Sequence, residues 1–98
     1  MKKKKKVDKN FVKKSYKSEI EDYSKAVKEI GLWKSEDYVA DKYFDKNKRI
    51  IDIGCGAGRT TFGLYEKGYQ NIIGLDISNE MISAAKSFNK EFGYNIEF

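Results

Sequence analysis

Three glycines at alternate positions, Gly54, Gly56 and Gly58, follow the short apolar run Ile50-Ile51-Asp52-Ile53, which carries an acid two positions before the first of them. Glycine suits such a turn because the chain must bend sharply and let a ligand approach its backbone. A Cβ at Gly54 or Gly56 would exclude the ligand or forbid the backbone angles. The turn is expected to aim backbone N–H groups and the start of a helix at whatever binds there. A second apolar run, Asn71-Ile72-Ile73-Gly74-Leu75, ends in Asp76, twenty residues after Gly56. A carboxylate at that place accepts two hydrogen bonds from a ribose diol. Together the two runs describe a site for a small ribose-bearing ligand.

Spacing narrows the ligand class. Dinucleotide loops use G-x-G-x-x-G, and the third glycine of that pattern is Arg59 here. The chain instead shows Asp52-x-Gly54-x-Gly56-x-Gly58. An acid beside the loop repels a pyrophosphate and attracts an ammonium group. Cys55, inside the loop, reads as a small buried residue; the chain has no His and no evident base to make it a nucleophile. One Cys cannot form an internal disulfide, and without His the common zinc sites are excluded. The expected address is a reducing cytoplasm, and no metal is expected.

The elements that must hold these residues follow from periodicity. Tyr16, Ile20, Tyr23, Val27 and Ile30 fall on one helical face, and Gly31 supplies a stop. After the joint Leu32-Trp33-Lys34, Ser35 is the expected N-cap of a second helix. Glu36 and Asp37 lie in its first turn, and Val39, Ala40, Tyr43 and Phe44 form its buried side. A strand over Arg49–Ile53, apolar enough to be covered on both faces, leads into the glycines. Thr60 to Lys67 reads as a short helix ending at Gly68, and a second strand runs from Asn71 to Leu75. Ser78 caps a third long helix with Met81, Ala85, Phe88 and Phe92 on one face, stopped by Gly93. Asn95–Phe98 begins a third strand. Strands alternating with helices imply a parallel sheet with right-handed crossovers. The fold class is α/β: the N-terminal half of a doubly wound, Rossmann-like parallel sheet of three strands, preceded by two cap helices.

At this point the residues resemble a known family. Asp52-Ile53-Gly54-Cys55-Gly56-Ala57-Gly58, with Gly74-Leu75-Asp76-Ile77-Ser78 on the next strand, is similar to the first motifs of class I S-adenosylmethionine-dependent methyltransferases. Met81-Ile82-x-x-Ala85 resembles the helix that the family places after its ribose-binding acid. The similarity runs from about Arg49 to Phe98, and the helices before it resemble the N-terminal cap of small members. The resemblance implies S-adenosyl-L-methionine as cofactor, held by Asp52, Gly54, Cys55, Gly56, Gly58, Asp76 and Ile77. The three glycines would form the floor under its methionine portion. Asp52 would hold the ammonium through water, Asp76 would take the ribose hydroxyls, and Ile77 would lie against the adenine. The methyl group then moves in line from the sulfonium to a nucleophile, with the protein supplying position and desolvation. No catalytic residue is assigned.

The family's sheet has about twice as many strands as this chain supplies, in keeping with the two-half plan of such folds. The expectation is therefore an N-terminal cofactor-binding portion, truncated after the third strand and inactive by itself. Its first strand would be an exposed edge open to self-association. Three regions result: a basic, disordered tail over 1–14, a helical cap over 15–48 and the partial α/β domain over 49–98. The net charge of +5 resides in Lys2 to Lys6, because the remaining fifteen Lys and Arg balance fifteen Asp and Glu. The neutral cap points to a small-molecule acceptor. No apolar run is long enough to span a membrane. Trp33, Tyr16 and Tyr23 are candidates to close over a ligand, against the ordinary reading as core. Ser35 and Glu36 are helix caps first and site residues second. Two alternatives stand beside the enzyme: a non-catalytic ligand-binding or regulatory remnant, and a nucleic-acid-associated module using the Lys2–Lys6 tail.

Overall fold

The computed structural model describes residues 29–98 together with Asp22 and Val27. Five elements follow in order: α1 (Lys34–Tyr43), β1 (Ile50–Ile53), α2 (Arg59–Glu66), β2 (Ile72–Leu75) and α3 (Asn79–Phe92). The lysine tail, Tyr16, Tyr23 and most of the expected first helix lie outside the described residues. Of that helix, Val27 is helical and buried in the core, whereas Ile30 is exposed.

β1 and β2 pair in parallel, with Ile50 opposite Ile72 and Ile53 opposite Leu75. This register brings both carboxyl ends, and so the glycine loop and Asp76, to the same edge. The expected third strand is reduced to a single parallel bridge between Ile73 and Glu97, with Gly74 N donating to Glu97 O at 2.9 Å. The side chain of Asn89 takes both backbone groups of the preceding Ile96, at 3.1 Å each. That clamp holds the segment against α3 and leaves Glu97 as the residue that pairs.

The two faces of the sheet differ. Ile72 and Gly74 face the helices and are buried, while Ile51, Ile53 and Leu75 point the other way and are exposed, Ile53 by 82%. The expectation that β1 is covered on both faces is thus overturned. Right-handed crossovers through α2 and α3 lie on one face of a sheet that grows in a single direction from β1, so the other face stays open.

Phe62 lies at the centre of the core, 2% exposed. Its ring meets Phe92 edge-on at 5.1 Å and Phe98 at 5.5 Å, with Tyr94 at 6.1 Å. Thus α2, α3 and the C-terminal segment converge on one aromatic side chain.

The cap helix α1 begins at Trp33 as N-cap, not at Ser35, because Glu36 reaches back to accept the Trp33 N–H at 2.8 Å. Its expected buried side also shrinks: only Ala40 is buried, while Val39, Tyr43 and Phe44 are exposed. The helix docks through small and polar contacts. The Tyr69 hydroxyl donates to the Ala40 carbonyl at 2.8 Å, and Lys67 pairs with Asp37 and, at 2.7 Å, with Asp41. Donating to those two carboxylates pushes the Lys67 pKa up to about 12.

Phe62→Ala removes the shared aromatic contact and is expected to cost about 3–5 kcal/mol. Tyr69→Phe, which loses one hydrogen bond to the cap, is expected to cost about 1 kcal/mol. Urea unfolding of the three proteins checks both magnitudes and their order.

Candidate functional site

The glycine loop is built from positive-φ backbone. Gly54, Gly56 and Gly58 have φ of 73°, 57° and 102°, conformations that a Cβ disfavours. Two of them differ in what surrounds them. A Cβ at Gly58 would sit 2.7 Å from the Phe62 ring, whereas one at Gly54 would meet nothing within 4 Å. Gly58 is therefore required by packing as well as by φ. Gly54 borders open space where a ligand can approach the chain.

The loop is held by its own N–H groups. Gly54 N and Cys55 N both donate to the Leu75 carbonyl, at 2.7 and 2.9 Å, and Gly58 N donates to Cys55 O at 3.0 Å. Gly56 N donates to Asp76 Oδ2 at 2.9 Å. The sequence-based expectation that these groups would point at a ligand is thus corrected for all four. Three of them fold the loop onto Leu75 and Asp76 at the end of β2, and the fourth, from Gly58, closes the loop on Cys55.

Asp76 bridges the two halves of the site. While Oδ2 accepts from Gly56, Oδ1 accepts the Ser78 N–H at 2.8 Å. Ser78 in turn caps α3 by accepting Met81 N at 3.2 Å. The two backbone donors, Ser78 first, hold the Asp76 carboxyl below the usual carboxylate range, so it is an ionised acceptor at neutral pH. A carboxylate offers about four lone-pair positions, which leaves capacity for two ligand hydroxyls. Asp76, Ile77, Leu75, Ile53 and Gly54 line a shallow depression of about 310 Å³. Ile77 is fully exposed at its rim.

Asp52 faces the other way along the loop. Its Oδ2 accepts from the hydroxyls of Thr60 at 2.9 Å and Thr61 at 2.7 Å, which pins the first turn of α2. The periodicity argument missed these threonines as site residues; hydroxyls eight and nine positions after an acid at a strand–helix turn were the available signal. A second cavity of about 330 Å³ lies between the cap helix and Asp52, with Leu32, Ser35, Glu36 and Thr60 in its wall.

Cys55 is 3% exposed. A Cβ on the opposing Gly74 would come within 3.0 Å of its Sγ, so the thiol packs onto the sheet rather than into a cleft. Burial, with the charges of Asp52 and Asp76, pushes the thiol up to about 11. Trp33 is exposed and lies over the Arg59 guanidinium at 4.7 Å.

A family model described as a methyltransferase domain matches residues 44–98. An uncharacterised protein of Methanocaldococcus jannaschii is 40% identical over 52 residues, which are 53% of this chain and 24% of that protein. The eEF1A lysine and N-terminal methyltransferase of Mus musculus is 37% identical over 51 residues, 52% of this chain and 7% of that protein. Among solved structures, the PH0226 protein of Pyrococcus horikoshii OT3 superimposes with a TM-score of 0.54 at 32% identity, over 64% of this chain and 27% of that one. The chain thus spans about a quarter or less of each.

The Cys55 thiol is expected to alkylate slowly up to about pH 10 in the folded chain and rapidly once urea unfolds it. Because the folded value is raised, the unfolded thiol ionises first. Stability should therefore fall as pH rises from about 8.5 toward the folded value of about 11. Iodoacetamide kinetics and urea midpoints across that range measure both.

Proposed function

This chain belongs to the methyltransferase family whose domain model it matches, and from that premise we propose that its glycine loop and Asp76 bind S-adenosylmethionine. The carrying observation is the economy of the loop's donors. The N–H groups of Gly54, Cys55, Gly56 and Gly58 are all spent inside the protein. A loop that cradles phosphates must turn such donors outward. This one presents carboxylates and open space, which favours a ligand with hydroxyls and a cation over one with a pyrophosphate.

In this reading Asp76 accepts the ribose hydroxyls while keeping its bonds to Gly56 and Ser78. Ile77 and Ile53 lie against the adenine beside it. Gly54, Gly56 and Gly58, with the Cys55 backbone, form the surface under the methionine portion. Asp52 attracts the ammonium, its position set by Thr60 and Thr61. When bound, the cofactor supplies an activated methyl group; the residues named here bind and orient it. The matched relatives carry three quarters or more of their length elsewhere, and these 98 residues are proposed to hold the cofactor without transferring its methyl group by themselves. The edge of β1 that pairs with no strand among the described residues, with Ile51 exposed beside it, is proposed to pair with a second copy.

Calorimetry with S-adenosylhomocysteine tests the site. The wild type should bind, and Asp76→Ala should weaken binding about tenfold or more, as expected for lost hydrogen bonds to a charged acceptor. Labelled S-adenosylmethionine should be retained without turnover. Equal heats for the two proteins would refute the ribose assignment. Sedimentation should show concentration-dependent association of the wild type and a monomer for Ile51→Lys; a monomeric wild type at high concentration would refute the pairing.

A further inference from the structure

Arg59 is the first residue of α2 and directly follows Gly58, so its backbone continues the glycine loop. Its side chain leaves the sheet and helices behind and crosses to the N-terminal segment. Nη1 donates to Glu36 Oε1 at 2.7 Å and Nη2 to Glu36 Oε2 at 3.0 Å. This is the two-pronged pairing that a planar guanidinium and a carboxylate favour. Nη1 also donates to the Gly31 carbonyl at 2.8 Å, and the guanidinium lies against the Trp33 ring. Glu36 completes the circuit by accepting the Trp33 N–H.

Three parts of the segment entering the cap therefore meet one loop side chain. The pair is largely shielded, with side-chain exposures of 14% and 28%, so salt screens it less than an open surface pair. The arginine holds the Glu36 carboxyl below its usual range. One turn further along α2, Gly63 lets the same segment approach closely: a Cβ there would lie 2.5 Å from Leu32 Cγ.

Other ties on the loop among the described residues come from the α/β body: the Leu75 carbonyl, Asp76, and Asp52 through its threonines. Arg59 connects the loop to the cap. We propose that Arg59 and Glu36 form a positioning latch, through which the seating of residues 31–43 and the ligand-ready conformation of the glycine loop stabilise each other. The role in binding rests on the reading that this loop takes S-adenosylmethionine. Coupling of this kind is reciprocal: if the latch favours the binding conformation, ligand in the loop must also tighten the cap. Lysine cannot substitute, because an ammonium lacks both the fork and the flat face that Trp33 covers.

The test uses the full chain as wild type, Glu36→Gln, Arg59→Lys and the charge swap Glu36→Arg with Arg59→Glu. Affinity for S-adenosylhomocysteine is measured by calorimetry, and amide hydrogen exchange is followed with and without that ligand. Expected are a roughly tenfold weaker affinity in each single variant and partial recovery in the swap. Ligand should protect residues 31–43 in the wild type and not in the single variants. A merely structural role would lower thermal stability while leaving that ligand-dependent protection intact. Single variants within twofold of a wild type that binds, or no ligand-induced protection of 31–43, would overturn the latch. If the wild type binds no S-adenosylhomocysteine, the cofactor reading fails separately. The latch is then judged on ligand-free exchange: faster exchange in Glu36→Gln at both 31–43 and 59–62 supports it, and unchanged exchange at 59–62 overturns it.

Discussion

The Asp76 carboxylate joins the glycine loop after β1 to the start of α3. One oxygen holds Gly56 in the loop after β1, and the other holds Ser78 at the start of α3. Beside it, the Leu75 carbonyl receives Gly54 and Cys55. These bonds are possible because the parallel register places Ile53 opposite Leu75, bringing the two strands to an end at the same level. A register slip would misplace the Gly54, Cys55 and Gly56 donors, which reach across to Leu75 and Asp76. The acid is thus a structural bridge with acceptor capacity to spare.

That dual role changes what the glycines are for. Their positive φ values let four N–H groups turn inward onto Leu75, Asp76 and Cys55 rather than outward to a ligand. Those four donors are thereby engaged within the protein, beside the carboxylates of Asp52 and Asp76, instead of forming an outward ring. The aromatic cluster below reinforces the shape, since Phe62 lies directly against Gly58 and is itself fixed by Phe92 and Phe98.

Packing is one-sided. Helices α2 and α3 and the aromatic cluster cover one face of the sheet, and the cap joins the body through Ala40 in the core and through a set of polar contacts. Tyr69 to Ala40, Lys67 to Asp37 and Asp41, and Arg59 to Glu36 are spread along the cap helix. Attachments of this kind specify direction more than they add stability. The opposite face keeps its isoleucines exposed, a surface whose burial would contribute hydrophobic stabilisation to any partner chain.

The sequence by itself determined the alternation of helix and strand from α1 to α3, the parallel strands, the glycine turn, the Ser78 cap and the Gly93 stop. Each of these is a local matter of periodicity, backbone angle or capping chemistry, readable within a few residues. It also placed Asp52 and Asp76 near one edge, because the strand, helix and strand that link them return the chain to it. Tertiary structure alone decided where the donors go: that Gly56 serves Asp76, that Asp52 is engaged by Thr60 and Thr61, and that Glu36 caps α1 from Trp33 while gripping Arg59. It also decided that Ile51 and Ile53 stay exposed and that the last segment makes one bridge. Those outcomes depend on which groups meet across long sequence separations and on how many layers exist to cover a face, and no window of neighbouring residues contains that information.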